Sequence, residues 1–170
     1  QHAKRVVSAV DDVEALLAGP EPVAAIVAPS FPAEFIDLDY HSVVGTFRAL
    51  GFSSVHEVAF GAELVALEYQ RLVAKHTDQL WIATTCPAVV GYVERYYPDL
   101  TSSLAPIVSP MIATARLLRR EQPGRHVVFI GPCIAKKRET VSRDLAGEVD
   151  HALTFAEVRT MIARRGLDPQ

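Results

Sequence analysis

The stretch VFIGPCIAKKRE, residues 128–139, joins an apolar run to a short turn that carries Cys133 and then to a basic segment. The apolar run is the end of HVVFIG, residues 126–131, which predicts a buried strand. Continuous apolar strands are typical of parallel sheets, because both faces of such a sheet are covered by helices. The stretch therefore predicts a strand that ends in a cysteine-bearing turn.

Two other stretches repeat this arrangement. TTCPAVVGYVERYYP, residues 84–98, places Cys86 after the apolar run LWIAT and before a helix that begins with proline, where proline is tolerated. PVAAIVAPS, residues 22–30, is an apolar run that ends in Pro-Ser. Ligands of open α/β sheets bind beyond the carboxyl ends of the strands, so we expect these three turns to lie along one edge. This geometry places Cys86 and Cys133 in one predicted site.

Strand-like and helix-like segments alternate along the chain. The sequence predicts strands at residues 22–30, 54–60, 80–84, 126–131 and 150–154. It predicts helices at residues 11–19, 40–52, 61–76, 87–98, 109–122 and 155–166. Residues 29–40 are the least regular and predict a loop, and residues 139–147 are ambiguous. The alternation predicts an α/β fold with a mostly parallel sheet flanked by helices.

The composition narrows the class of protein. The chain has 170 residues, of which 49% are hydrophobic and 22% charged, as in a globular domain. A net charge of −3 gives no general reason to bind nucleic acid or an anionic membrane. No apolar run approaches the roughly 20 residues that span a bilayer, and no signal peptide is visible. Two cysteines do not form a disulfide framework, so we expect a cytoplasmic setting without nucleic-acid or membrane partners.

The surroundings of both cysteines favour a negatively charged thiolate. The helix after Cys86 favours a thiolate through its dipole, and Lys136, Lys137 and Arg138 favour an anion near Cys133. Two thiolates suit a soft metal or an iron–sulfur cluster, but a cluster or a structural zinc usually takes four protein ligands. Two isolated cysteines are also compatible with small buried hydrophobic residues. Spacing alone predicts an α/β domain with a thiol or anion site at the strand ends.

Five stretches resemble, in the same order, the FeFe (iron-only) hydrogenases. TTCPAVVGYVERYYPDL resembles their TSCCPxW segment, and IGPCIAKKRE resembles their MPCxxKxxE segment. VAPSF, LGFSSVHEVAFGAELVALE and VDHALTFAEVRTMI resemble further segments of the family. The resemblance spans about residues 23–162. It implies that residues 21–170 are the N-terminal part of a hydrogenase-like H-cluster domain without its C-terminal lobe, and that residues 1–20 hold a short helix and the tail of a ferredoxin-like domain.

The resemblance implies an H-cluster, in which a 4Fe–4S cubane is joined through a cysteine to a diiron unit with CO, cyanide and a dithiolate. Cys86 and Cys133 match two of the four cubane ligands, and the other two belong to a later motif that this chain does not contain. We therefore expect the chain alone to be metal-free or poorly loaded, and inactive.

The resemblance also assigns residues around the cluster. Lys136 matches a lysine that interacts with a cyanide ligand, and a compact ammonium donor suits that group. Glu139 matches the glutamate of the same motif. Pro29 and Ser30 match positions that line the diiron pocket.

Several positions depart from the efficient enzymes. Thr85 stands where those enzymes have the cysteine that relays the last proton, and a hydroxyl is a poor acid near neutral pH. Glu68 keeps one carboxylate of the outer proton path. The other changed positions are Arg71 for a second carboxylate, Val89 for tryptophan, Ala105 for serine and Gly131 for methionine. We therefore expect slow hydrogen turnover, which favours a sensory branch of the family.

Three functions remain open on the sequence. The first is hydrogen or redox sensing, with a ferredoxin-like domain and a signalling output domain in cis and with H2 and protons as reactants. The second is a Nar1-like iron–sulfur assembly factor that carries only an ordinary 4Fe–4S cluster. The third is a structural or interaction module without metal. Apolar surface left uncovered by a second lobe also predicts a homodimer of this chain.

Overall fold

The structure is a computed structural model that describes residues 6–167. Four parallel strands form one sheet in the order β2-β1-β3-β4. The strands are β1 (Val23–Val27), β2 (Ser54–Glu57), β3 (His126–Gly131) and β4 (His151–Thr154). The predicted α/β fold with a parallel sheet is confirmed.

Helices lie between the strands in sequence. They are α1 (Val10–Leu17), α2 (Phe31–Glu34), α3 (Tyr40–Ala49), α4 (Val58–Lys75), α5 (Pro87–Tyr96), α6 (Pro110–Glu121), α7 (Ala135–Thr140) and α8 (Phe155–Arg164), with a 3₁₀ helix at Pro98–Ser103. Local residues explain several starts: Asp39 caps α3 and Ser109 caps α6 through their side chains, and Pro110 occupies the first turn of α6.

The central strands β1 and β3 form the middle of the core. All five residues of β1 are buried, and the register pairs Ile26 with Phe129 and Val27 with Ile130. Beyond the strand, the Ala28 N–H donates to the Ile130 carbonyl at 2.8 Å. This register brings the turn after β1 beside the turn that contains Cys133.

The predicted strand at residues 80–84 is wrong. This segment makes one isolated bridge, Ile82 with Leu104, outside the sheet. The Ile82 N–H donates to Ser103 at 2.8 Å, and the Ala105 N–H donates to the Ile82 carbonyl at 2.9 Å. Leu80 is 70% exposed. An apolar run indicates burial but not which backbone will pair with it, and here the partner is the loop after the 3₁₀ helix.

Other boundaries also differ from the predictions. Helix α4 begins at Val58, so the strand predicted to residue 60 ends at Glu57. The predicted loop at 29–40 contains the short helix α2, and Phe35, directly after it, makes edge contacts with the rings of Phe47 and Phe155 at 6.0 and 5.8 Å. The ambiguous segment begins as the last turn of α7 and continues as turns.

Helices α4 and α6 pack closely, which fixes the orientation of α4. A Cβ at Gly61 would lie 2.4 Å from the Pro110 carbonyl oxygen, so only glycine allows this approach.

Helix α1 belongs to the same packed body as the sheet. Val10 and Val13 are buried in the core, and Arg164 of α8 bonds Asp11 and Glu14 at 2.7 and 2.9 Å. Residues 1–5, which belong to the predicted tail of a ferredoxin-like domain, lie outside the described residues. Within residues 6–167, no helix is long and apolar enough to cross a membrane.

Candidate functional site

The turns that carry the two cysteines lie against each other. Lys136 Nζ, three residues after Cys133, donates to the carbonyl of Thr85 across 3.4 Å. Thr85 directly precedes Cys86. The two turns therefore meet, although the segment before Cys86 is not a strand of the sheet.

Cys86 caps the N-terminus of α5, as the sequence predicts. Its backbone is extended, with φ −110° and ψ 110°, and Pro87 is the first helical residue. The Cys86 carbonyl accepts from the N–H groups of Val89 and Val90 at 3.0 and 3.1 Å. The thiol is free and half-buried, as is that of Cys133.

A cavity of about 290 Å³ lies at the carboxyl ends of β1 and β3. It is lined by five of the predicted site residues, which are Pro29, Ser30, Thr85, Cys133 and Lys136. The other lining residues are Ala28, Val58, Ala62, Pro110, Met111, Phe129 and Pro132. The cavity is therefore an apolar space whose wall includes one lysine, one cysteine and two hydroxyl-bearing residues, Ser30 and Thr85.

The cations of α7 are mostly neutralised by carboxylates. Lys136 Nζ lies 2.7 Å from Glu139 Oε2, and both side chains are nearly buried, at 12% and 7% exposure. Lys137 Nζ lies 2.8 Å from Glu157 Oε1. The positive potential expected next to Cys133 is therefore largely cancelled, and what remains is a fixed, buried ion pair beside the cavity.

Glu68 does not join the other predicted site residues. Its side chain is 55% exposed and pairs with Arg71 at 2.5 Å on the surface of α4. It does not line any of four cavities in the described part of the chain. Its place on an outer proton path stays a prediction.

The neighbouring residue, Tyr69, contacts the segment before Cys86 and is not among the site residues predicted from the sequence. Its hydroxyl lies 2.8 Å from the Thr84 N–H and 3.1 Å from Thr84 Oγ1. The helical pattern could have found it, because Gly61 and Val65 are buried on α4 and Tyr69 continues their spacing of four residues.

Phe129 is a second missed residue. A side chain at Gly131 would place its Cβ 2.6 Å from Phe129 Cζ and 2.8 Å from Ala28 Cβ. The phenyl ring thus occupies the space above Gly131 and lines the cavity. Gly131 stands where the resemblance places a methionine. Its lack of a side chain leaves room for the ring of Phe129, two residues earlier on the same face of β3.

The donor set fits one half of a cubane site. Two thiols lie on adjoining turns, and the described residues contain no group of three or more His, Cys, Asp or Glu side chains that could hold a metal. A 4Fe–4S cubane takes four thiolates. Cys86 and Cys133 can supply two of them, and the remainder must come from elsewhere.

Comparisons with known proteins agree with this geometry. Residues 21–170 match the family described as iron only hydrogenase large subunit, C-terminal domain. The periplasmic Fe hydrogenase large subunit of Nitratidesulfovibrio vulgaris is 28% identical over 144 residues, which cover 74% of this chain and 34% of that protein. The cytosolic Fe-S cluster assembly factor NAR1 of Yarrowia lipolytica is 28% identical over 152 residues, which cover 79% of this chain and 30% of that protein.

Solved structures share the fold. A variant of the FeFe-hydrogenase HydA1 from Chlamydomonas reinhardtii superposes with a TM-score of 0.82 at 25% identity, covering 96% of this chain and 48% of that one. The chain thus spans about a third of the length of these curated relatives and about half of the solved structure. One relative is named as periplasmic and another as cytosolic, so the cytoplasmic setting stays a prediction.

Proposed function

This chain belongs to the family described as iron only hydrogenase large subunit, C-terminal domain. We therefore propose that it forms one half of an H-cluster site. In the whole protein, that site reacts slowly with H2 and reports hydrogen or redox state. The cubane and diiron unit would supply the redox chemistry and the binding of hydrogen. Cys86 and Cys133 would hold the cubane together with two ligands from outside this chain.

The observation that carries the proposal is Thr85 on the cavity wall. A threonine hydroxyl has a pKa far above neutrality, so it delivers a proton to the cavity much less readily than a thiol. Slow turnover suits a sensor, since its output is a shift between conformations and not a flux of product.

Lys136 has the role of an anchored donor. Its ammonium group is held by Glu139 at 2.7 Å and reaches the Thr85 carbonyl at 3.4 Å, while its side chain lines the cavity. The one donor that remains on Nζ can bind an anionic ligand in that space. Pro29 and Ser30 would form the opposite part of the wall and exclude water from it.

The partners of the whole protein are also proposals. We propose a ferredoxin-like domain in cis as the source of electrons and a signalling domain in cis as the output.

The test is an infrared spectrum of the full-length protein, made anaerobically with the hydrogenase maturation proteins present. Bands of metal-bound CO and cyanide are the expected result. Thr85→Cys should then raise hydrogen turnover, whereas Thr85→Ser, which keeps the hydroxyl, should not. Bound iron without these bands would contradict the H-cluster, and equal turnover in both variants would contradict the role of Thr85.

A second function is favoured by one specific observation. The assembly factor NAR1 of Yarrowia lipolytica matches 79% of this chain at 28% identity, and the hydrogenase of Nitratidesulfovibrio vulgaris matches 74% at the same identity. An ordinary 4Fe–4S cluster needs no relay group at Thr85. Stoichiometric iron with an iron–sulfur absorption band, but no CO or cyanide bands, is the result that this alternative predicts.

A further inference from the structure

The turn that carries Thr85 and Cys86 is held by hydrogen bonds to helix α4 and to the loop at residues 103–107, and not by the sheet. In the segment 80–84, the one β-bridge within the described residues is that of Ile82 with Leu104. Further along the segment, the N–H and the hydroxyl of Thr84 form hydrogen bonds with Tyr69, Ala105 and Ile107. Tyr69 is the member of this set that comes from α4.

The hydrogen-bond roles in this network follow from its geometry. The Thr84 N–H must donate, so the Tyr69 oxygen accepts it at 2.8 Å. The Tyr69 hydroxyl proton is then free to donate to Thr84 Oγ1 at 3.1 Å. Thr84 in turn donates its own proton to the Ile107 carbonyl at 2.5 Å. One phenol therefore serves both the backbone and the side chain of Thr84.

Helix α4 is well placed to act as the anchor. Its close packing on α6 is fixed at Gly61, two helical turns before Tyr69 on the same side of the helix. On the other side of the turn, the Thr85 carbonyl meets Lys136. The turn is thus held between a phenol and an ammonium group that belong to different elements.

We propose that Tyr69 is a positioning residue that fixes the Thr85–Cys86 turn against α7. It sets where the Cys86 thiol and the Thr85 side chain lie relative to Cys133 and the cavity. The purpose of this placement rests on the proposed function, because two cluster ligands must be held at a fixed separation. The placement itself is a property of the polypeptide and can be measured without metal.

The test is the rate of alkylation of each cysteine by iodoacetamide in the full-length protein, before any metal is added. Quantitative peptide mass spectrometry separates Cys86 from Cys133. Tyr69→Phe removes one hydroxyl and leaves the Thr84 N–H without its acceptor. We expect Cys86 to react about fivefold faster, as the loss of one typical hydrogen bond implies, and Cys133 to be unchanged. An unchanged rate at Cys86, or an equal rise at both cysteines, would overturn the proposal.

Two controls keep the result specific. Tyr96→Phe removes the same atom from a side chain that is 61% exposed, and it should leave both rates unchanged. Thr84→Val should accelerate Cys86 as Tyr69→Phe does, and Thr84→Ser, which restores the hydroxyl, should return the rate to that of the natural protein. A failure of Thr84→Ser to restore the rate would also contradict the network. If the infrared experiment finds no H-cluster, these rates still decide the role of Tyr69.

Discussion

The substitution Glu157→Gln tests how helix α7, which lies next to the cavity, is connected to the rest of the fold. Oε1 accepts from the Ala9 N–H at 2.9 Å and from Lys137 Nζ at 2.8 Å. Oε2 accepts from the Thr154 N–H at 2.7 Å, which completes a capping box at the start of α8. One carboxylate therefore connects the N-terminal segment, α7 and α8.

The magnitude follows from the pKa of this carboxyl. Burial raises the pKa, but hydrogen bonds from Lys137, Thr154 and Ala9 outweigh it and lower the pKa of Glu157 from 4.5 to about 2. This difference corresponds to about 3 kcal/mol of folding free energy. Glutamine keeps one acceptor and loses the charge, so we expect Glu157→Gln to lower the free energy of unfolding at pH 7 by about 3 kcal/mol.

The same pKa fixes the pH dependence. The folded-state pKa is depressed, so the stabilisation is complete above the unfolded value of 4.5 and is lost as the pH falls towards about 2. The difference between the natural protein and Glu157→Gln should therefore shrink by about 2 kcal/mol between pH 5 and pH 3.

Urea denaturation at several pH values measures both quantities. Glu68→Gln is a matched control, because Glu68 is 55% exposed in a surface ion pair and the substitution should cost at most about 0.5 kcal/mol. Equal midpoints for Glu157→Gln and the natural protein at pH 7 would refute the reasoning. A difference that stays constant down to pH 3 would refute the assigned pKa.

Three further predictions use other parts of the fold. Gly61→Ala should destabilise the protein by about 1–3 kcal/mol in thermal or urea unfolding, because its Cβ would overlap the Pro110 carbonyl, whereas Gly45→Ala, which meets nothing within 4 Å, should stabilise α3 slightly. Asp150→Asn should cost about 2 kcal/mol of unfolding free energy, since the carboxylate accepts from Arg119 at 2.6 Å and from the Val127 N–H at 2.7 Å; an unchanged urea midpoint would contradict this. The chain by itself should bind less than stoichiometric iron and form dimers through exposed apolar side chains of α4 and α5, and metal analysis with sedimentation velocity checks both.

Most of the fold could be predicted because local patterns and global topology agree. The runs at residues 22–30 and 126–131 are apolar except for Ser30 and His126, and they contain the two central strands. The run at 80–84 looks similar but pairs with residues 103–105. That choice depends on a loop some 20 residues away, and hydrophobic periodicity contains no information about it.

The site could be predicted where residues follow strands and not where they lie on helices. Pro29, Ser30 and Cys133 come together because neighbouring parallel strands end at one edge. A shift of one residue on a helix turns a side chain by about 100°, so Tyr69 contacts Thr84 whereas the adjacent Glu68 is exposed, and the motif around Glu68 does not reveal this contact. The neutralisation of Lys137 depends on Glu157, a tertiary contact that the basic run alone does not reveal.

The isolated bridge at Ile82 has a consequence for cooperativity. Opening the segment 80–86 would break that bridge and the contacts of Thr84, but none of the ladder hydrogen bonds between the four strands. Its opening free energy is therefore separate from that of the sheet, as in a small independent unit of a hydrogen-exchange experiment. One wall of the cavity can thus be tuned by substitutions of Tyr69 and of the loop at 103–107, while the global unfolding transition stays where the core sets it.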